Sequence, residues 1–300
     1  MRSEAKIERE LPKDVAKTIR AQLIPHFKRR LNARQLLPTH NVSKKTREFG
    51  YWKDTEDNSQ DAEIVMPGGS IPRDSPDMRE RIMNMIVKNA RGYELPREDY
   101  LNEEFVNRYT LKATRKVAEL DDDLIINGSD MGGVSGLDDV PYQTLSPQEG
   151  SWDDHSDSGA TPYADVVKML ETLRDQSNDG FGQNPGALDL VMDGKTEAQL
   201  YLSHEAESKK GDETMNRIAG LVGRIRVIPT VPEGTAYLME TGPEIGEYIV
   251  AEDITVERAD YIKDNQAYIG NVFCRTLPLW YQHGDDDTSS TAIVKMEGLT

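Results

Sequence analysis

Two stretches combine a histidine with several aspartates, the side chains that bind cations and exchange protons. His155 lies within WDDHSDS (152–158), and His283 comes shortly before three aspartates at positions 285–287. Carboxylate oxygens suit a hard cation, but neither stretch has the glycine-centred spacing of a calcium-binding loop. We therefore interpret both stretches as solvated acidic loops, with a cation site as the alternative.

The other patterns that carry chemistry in enzymes are incomplete. The glycine-rich segment 128–136 lacks the Gly-Lys-Ser/Thr ending of a phosphate-binding loop and follows a helix instead of a strand. The five histidines are scattered, so they form no zinc-binding set. Cys274 stands in an apolar, strand-like phrase, where a thiol is a poor nucleophile. We therefore expect no enzymatic activity, no cofactor and no metal.

Charge is distributed unevenly along the chain. The net charge is −17, yet residues 1–47 contain 13 Lys and Arg against four Asp and Glu, which leaves 23 against 49 for the remainder. A basic N-terminal arm thus precedes a strongly acidic body. The acidity either keeps a soluble protein dispersed or adapts it to high salt, and the aspartate-rich stretches favour the adaptation.

The number of cysteines and the pattern of hydrophobic residues restrict the expected location of the protein. A single cysteine excludes an intramolecular disulfide. No apolar stretch approaches the length needed to cross a bilayer, and the charged N-terminus lacks the apolar region of a signal peptide. We expect a soluble chain that is not secreted.

The positive charge of the arm is concentrated near its end. Its cluster consists of Lys28, Arg29, Arg30 and Arg34. One hypothesis is an amphipathic helix docked on its own subunit. The other is an arm that crosses onto a neighbouring subunit, where the cluster meets nucleic-acid phosphates or another acidic body. Phe27 is the one aromatic residue of the arm, so any contact with nucleic acid would be electrostatic and independent of base sequence.

The sequence predicts one long helix, around which the other elements are expected to be arranged. Apolar residues recur every three or four positions between 103 and 127: Val106, Tyr109, Ala113, Val117, Leu120 and Leu124. This period predicts a helix about 37 Å long with one buried face, which ends at Asn127-Gly128. Three aspartates at 121–123 lie near its C-terminal end, where negative charge is unfavourable, so we expect a neighbour or a cation to compensate them.

The order of several phrases resembles a family of shell proteins. A strand-like ARGYELPRED (90–99), a helix ending in RKVAELDDDLIING (115–128), GVSGL (133–137) and later GLVGRIRVIPTVPEGTAYLM (220–239) follow one another. Together they are similar to encapsulins and to the related major capsid proteins of tailed bacterial and archaeal viruses. The resemblance covers about Ser75 to Thr300 and is only positional before that. It implies an α+β fold of the Hong Kong ninety-seven type.

The same resemblance implies a division of the chain. It comprises an N-terminal arm (1–40), an extended loop (41–75), a peripheral domain (76–150) with the long helix as its spine, an axial domain (151–270) and a return to the peripheral domain (271–300). Alternating strands and helices after Thr161 independently predict a mixed α/β domain there, starting with a helix whose first residue is Pro162.

The extended loop is predicted to contact a neighbouring chain. Strands at 48–53 and 63–66 would form a hairpin around an acidic tip, and a long polar hairpin is unlikely to have a core of its own. The alternative is an ordinary surface hairpin. Its candidate inter-subunit residues are Tyr51, Trp52, Lys53, Ile64 and Val65.

Our leading hypothesis is therefore the major capsid protein of a tailed, haloarchaeal virus, which forms an icosahedral shell around double-stranded DNA. The expected partners are further copies as hexamers and pentamers, packaged DNA through non-specific electrostatics, and portal and cement or turret proteins, without a membrane. The expected location is the virion, assembled in the host cytoplasm. One alternative is an encapsulin compartment with a protein cargo. Another is a soluble α/β enzyme or ligand-binding protein, which requires a convergent polar pocket that the sequence does not indicate.

Overall fold

The computed structural model describes residues 33–54, 79–100, 103–130, 133–140, 142–153, 161–176, 181–200, 213–257, 260–262, 267–281 and 292–300. Their strands are β1 (Thr39–Asn41), β2 (Glu48–Asp54), β3 (Arg79–Met85), β4 (Val87–Pro96), β5 (Gln143–Leu145), β6 (Leu188–Met192), β7 (Arg224–Val227), β8 (Thr235–Glu240), β9 (Gly246–Val256), β10 (Asp260–Ile262), β11 (Ala267–Trp280) and β12 (Ile293–Glu297). The helices are α1 (Arg97–Tyr100), α2 (Glu103–Asn127), α3 (Pro162–Gln176), α4 (194–200) and α5 (Glu213–Leu221). This mixture confirms the α+β class.

The chain divides into two compact units. Unit 1 comprises Met1–Glu48, Asn84–Asp139 and Gly246–Leu279, and unit 2 comprises Phe49–Met83, Val140–Ile245 and Trp280–Thr300. Both units are assembled from segments far apart in the sequence. Among the described helices, none is long and apolar enough to cross a membrane.

Unit 1 contains a five-stranded sheet and the long helix α2. Strands β9 and β11 lie in the middle of the sheet; β1 runs parallel to β9, while β4 and β10 run antiparallel to β11. The β4–β11 ladder comprises ten residue pairs. Apolar side chains of α2 and of the sheet form a common core around Val106, Val117, Tyr268 and Val272.

Helix α2 has the bounds that the sequence predicts, but its buried side is broader and rotated. Val106, Ala113, Val117 and Leu124 are buried as expected. Tyr109 and Leu120, by contrast, are 41% and 46% exposed, and Asp121 and Asp122 are buried instead. The helix thus faces the sheet with a side that contains polar residues, which an apolar-periodicity argument cannot identify.

The glycine-rich exit of α2 is a tight turn. Gly128 ends the helix with φ of 66°, a left-handed conformation that favours glycine. Ser129 and Val134 exchange backbone hydrogen bonds of 2.7 and 3.1 Å. A Cβ atom on Gly136 would lie 2.1 Å from the Gly128 nitrogen. Close backbone approach therefore explains these two glycines without a phosphate ligand.

Unit 2 contains a second five-stranded sheet, in the order β5-β12-β8-β6-β7. The outer pairs β5–β12 and β6–β7 are parallel, and the inner pairs are antiparallel. Helix α3 begins at Pro162 as predicted and packs its apolar side, with Val166, Met169 and Leu173, into the core of this sheet. Trp152 is fully buried in the same core.

The two units divide the chain differently from the expected domains at two places. Residues 246–270, expected in the axial domain, form β9, β10 and the beginning of β11 in unit 1. Strand β9 continues through the polar Glu252 and Asp253 without a turn. Residues 292–300, expected beside the long helix, belong to unit 2, where β12 lies between β5 and β8.

Strand β2 forms a separate two-stranded sheet with β3. The sequence predicts residues 63–66 as its partner, and these residues lie outside the described part of the chain. The observed partner is Arg79–Met85. The strands approach closely at Gly50, where a Cβ atom would lie 2.4 Å from the Ile82 carbonyl oxygen.

Candidate functional site

The most organised polar group in the described residues surrounds Asp121, near the C-terminal end of α2. We call Arg34, Asn89, Asp121, Tyr248, Asp253, Cys274 and Thr276 the Asp121 cluster. All seven residues belong to unit 1. Asp121 itself has no exposed surface. A carboxylate buried in this way needs both hydrogen bonds and a positive charge to offset its lost hydration.

Three short hydrogen bonds satisfy the Asp121 carboxylate. Tyr248 donates its hydroxyl to Oδ2 at 2.6 Å, and Thr276 donates its hydroxyl to Oδ1 at 2.6 Å. Arg34 donates from Nε to Oδ2 at 2.7 Å, which makes this bond an ion pair. Asn89 and Cys274 approach Oδ1 at longer distances of 3.4 and 3.7 Å. The donors come from strands β4, β9 and β11 and from the end of the N-terminal arm.

Arg34 connects the arm to this cluster. It lies in a short 3-10 turn, Ala33–Gln35, next to the buried side chains of Ala33, Leu36 and Leu37. Its Nη1 donates to Asp253 at 3.1 Å, and its guanidinium carbon lies 5.1 Å from the centre of the Tyr248 ring. The Arg34 side chain is 14% exposed. One guanidinium therefore contacts two carboxylates and an aromatic ring.

The protonation states of the cluster support the same interpretation. Burial and the nearby Asp121 carboxylate raise the pKa values of Tyr248 and Cys274 above their ordinary ranges, so both side chains keep their protons at neutral pH. Burial opposes the charged form of Arg34, but Asp121, Tyr248 and Asp253 outweigh it and raise the pKa of Arg34. The cluster therefore combines a cation with neutral donors around one carboxylate.

This arrangement holds segments together; it does not provide a catalytic centre. The Cys274 thiol is buried and protonated, so it is not an activated nucleophile. Within the described residues, no group of three or more histidine, cysteine, aspartate and glutamate side chains has the geometry to hold a metal ion.

The sequence anticipates part of this site. Compensation of the negative charge at the end of α2 is confirmed for Asp121, with Arg34 as the neighbouring cation. The assignment of Arg34 to an inter-subunit or genome-facing cluster stays a prediction; in the structure its guanidinium pairs with Asp121 and Asp253 of its own chain. The acidic helix end indicates that a cation is needed. Arg34 is 87 residues away in the sequence, so the periodicity of the helix could not identify it as the partner of Asp121.

The other predicted contact residues are only partly described. Tyr51 is half-buried in β2; its ring centre lies 4.8 Å from that of Tyr281, and its hydroxyl donates to the Trp280 carbonyl at 3.5 Å. Trp52 and Lys53 follow it in the same strand. The remaining predicted residues, Lys28, Arg29, Arg30, Ile64 and Val65, lie outside the described residues, as do His155 and His283.

Unit 1 also has a groove beside α2 and β4. It has a volume of about 240 Å³ and is lined by Arg91, Gly92, Tyr93, Glu94, Tyr109, Lys112, Ala113 and Lys116. Burial raises the pKa of Tyr93, although a 2.8 Å hydrogen bond donated by Thr110 opposes the shift. With one carboxylate, no histidine and no cysteine in its lining, the groove does not provide an acid–base pair.

Comparison with solved structures places this fold among capsid proteins. The virus-like particle from Pyrococcus furiosus matches over 94% of this chain and 98% of its own, with a TM-score of 0.62 and 14% sequence identity. The capsid of the native GTA particle matches over 90% of both chains, with a TM-score of 0.59 and 14% identity. The capsid of Myoviridae phage XM1 matches over 88% of this chain and 90% of its own, with a TM-score of 0.56 and 12% identity.

Sequence comparison does not add to this result. No protein-family model and no curated protein sequence matches the chain. At the identities found, the structural likeness shows the fold alone. The chain is folded, over nearly its whole length, like the capsid subunits of viruses and virus-like particles.

Proposed function

We propose that this chain is a structural subunit that self-assembles into a closed capsid shell. The observation that carries the proposal is the extent of the structural match, which includes at least 88% of this chain in each of the three capsid structures. Both units are therefore parts of one shell-protein fold.

The elements suggest how such a subunit would work. Unit 1, with its long helix and the ten-pair β4–β11 ladder, would act as the peripheral domain, and unit 2 as the axial domain around symmetry axes. The segment that includes β2 and β3 would serve as the extended loop, and its residues Tyr51, Trp52, Lys53, Ile64 and Val65 would contact a neighbouring subunit. The arm that precedes Arg34 would cross to another subunit.

We further propose a tailed virus of a haloarchaeal host, with hexamers and pentamers in an icosahedral shell around double-stranded DNA. The net charge of −17 supports a salt-rich environment. A carboxylate-rich shell repels DNA, so the arm residues Lys28, Arg29 and Arg30 would face the genome. Portal and cement or turret proteins would complete the particle.

A compartment that encloses protein is the second candidate. The match to the virus-like particle, which covers 98% of that chain, supports a self-assembling shell for either candidate. The two candidates share the subunit fold and differ in what the shell contains.

One experiment tests these proposals together. Purified material in high salt is imaged by cryo-electron microscopy, and the same sample is treated with nuclease before nucleic acid is extracted. Closed particles with protected DNA are the expected result. Closed particles that contain protein and no DNA would select the compartment. A small oligomer of fixed size would overturn the shell proposal itself.

A further inference from the structure

We propose that the Asp121 cluster is the anchor that fixes the N-terminal arm to its own subunit and so sets the position from which the arm reaches a neighbour. The use of the arm in assembly rests on the proposed function. The anchor itself rests on contacts within unit 1 and can be tested without any shell.

Besides the burial of Ala33, Leu36 and Leu37 and a 3.3 Å contact between His40 and Glu247, two attachments hold the chain between residues 33 and 42. The first is the ion pair from Arg34 to Asp121, supported by Asp253. The second is the parallel pairing of β1 with β9, which places Thr39 opposite Tyr248. Backbone bonds from Tyr248 to the Pro38 carbonyl at 2.8 Å and from Val42 to the Val250 carbonyl at 3.0 Å border this pairing.

The two attachments meet at one residue. The Tyr248 backbone nitrogen binds the arm next to β1, and the Tyr248 hydroxyl binds Asp121 at 2.6 Å. The ring between them lies under the Arg34 guanidinium. A change at Asp121 therefore acts on both attachments through the position of Tyr248.

The ion pair is the stronger of the two attachments. Strand β1 has only three residues, all of them exposed, and such a short edge strand contributes little by itself. Asp121, by contrast, is fully buried. When one member of a buried pair is removed, the other charge is left uncompensated, which is strongly destabilising. Displacement of the arm removes Arg34 from Asp121, so a charged, buried Asp121 opposes release of the arm.

Hydrogen–deuterium exchange of the purified full chain in high salt tests the anchor. The variant Asp121→Asn keeps the shape of the side chain and removes its charge. We expect amides in residues 33–42 to exchange at least about tenfold faster than in the wild type, while those of α2 change much less. The matched control is Lys44→Ala, which removes the exposed pair from Lys44 to Glu252 (2.6 Å) next to the same segment; its exchange should follow the wild type.

Two exchange results would overturn the anchor. One is unchanged exchange in residues 33–42 of Asp121→Asn. The other is equal acceleration in 33–42 and in α2, which indicates a general loss of stability. If Asp121→Asn does not fold, Arg34→Met decides by the same comparison, because it leaves Asp121 with its bonds from Tyr248 and Thr276.

Particle formation provides a separate readout. Sedimentation of the same variants should show fewer closed particles for Asp121→Asn than for wild type and Lys44→Ala. A loosened segment 33–42 with a normal particle yield would show that the anchor does not serve assembly. If the wild type itself forms no particles, the proposed function fails, and the exchange comparison still decides whether the cluster anchors the arm.

Discussion

At the scale of single residues, Asp121 is placed where two effects oppose a negative charge. It is fully buried, and it lies in the last two turns of α2, where the helix dipole disfavours carboxylates. Arg34, Tyr248 and Thr276 offset both effects at short range. Loss of any one of these donors leaves a buried oxygen of Asp121 with too few hydrogen bonds. We therefore expect each donor to contribute more to the stability of unit 1 than an average hydrogen bond does.

The variant Thr276→Val tests this dependence. Valine has nearly the same shape but cannot donate the 2.6 Å bond to Asp121. We expect the free energy of unfolding, measured by urea titration, to fall by about 1–3 kcal/mol. Thr144→Val is the matched control, since Thr144 is exposed in β5, and its effect should stay within about 0.5 kcal/mol. Equal effects of the two variants would contradict the role assigned to the cluster.

Alkaline pH should lower the stability of unit 1, because Tyr248 and Cys274 lose protons less readily in the folded state than in the unfolded state. Burial and Asp121 raise both pKa values in the folded state, whereas in the unfolded chain these groups lose protons near pH 10 and pH 8.5, about their ordinary values. The unfolded state thus binds fewer protons at high pH, and stability falls as the pH rises above about 8.5, by up to about 1.4 kcal/mol per pH unit for each group.

Urea midpoints between neutral and alkaline pH measure this loss. The double variant Tyr248→Phe/Cys274→Ala removes both ionisable groups. Its stability at neutral pH should be lower than that of the wild type, because Asp121 loses a donor, but its alkaline slope should be shallower. Parallel pH profiles for the two proteins would exclude these residues as the source of the loss.

At the scale of elements, the turn that follows α2 requires the backbones of Gly128 and Gly136 to approach closely. Gly136→Ala places a Cβ atom 2.1 Å from the Gly128 backbone nitrogen, so the turn must open. We expect a loss of about 1–3 kcal/mol, as for overpacked sites. Gly220→Ala is the control: its Cβ atom meets nothing within 4 Å in α5, and the change should stabilise by about 0.5–1 kcal/mol. Thermal unfolding of both variants gives the comparison, and a tolerated Gly136→Ala would refute the tight-turn assignment.

Elements with local signals could be predicted from the sequence, and elements defined by distant partners could not. The apolar period and the Asn127-Gly128 stop predict both ends of α2, and Pro162 predicts the start of α3. The pairing of β2 with β3 and the place of β12 in unit 2 depend on partners far along the chain. The ion pair between Arg34 and Asp121 could not be predicted for the same reason. The aspartates at the helix end indicate that a cation is needed, but the residue that supplies it lies far away in the sequence.

At the scale of the whole molecule, the dominant property is net negative charge. Acidic residues exceed basic ones by 17 over the chain. Within the described residues, pairs such as Arg115–Glu119 and Lys195–Glu233 lie on exposed surface, where ion pairs add little stability. Dissolved salt screens the repulsion among the excess carboxylates.

Removal of salt should destabilise the protein and any particle that it forms. The screening length grows from about 3 Å at 1 M salt to about 30 Å at 0.01 M, so more carboxylates repel one another. We expect lower unfolding temperatures and dissociation of particles after dialysis to low salt, measured by thermal scans and sedimentation. Sucrose in place of salt serves as the control for osmotic effects. Particles unchanged by prolonged dialysis would contradict adaptation to high salt.

The position of β12 has a consequence for the order of events in the cell. This strand is translated after every other described strand, yet it lies between β5 and β8, inside the unit 2 sheet. A nascent chain therefore has a gap in that sheet until residues 293–297 have left the ribosome. Neighbouring ribosomes on one messenger RNA hold many such unfinished copies close together. In the self-assembling subunit proposed above, this late interior strand would delay association until β12 has been made.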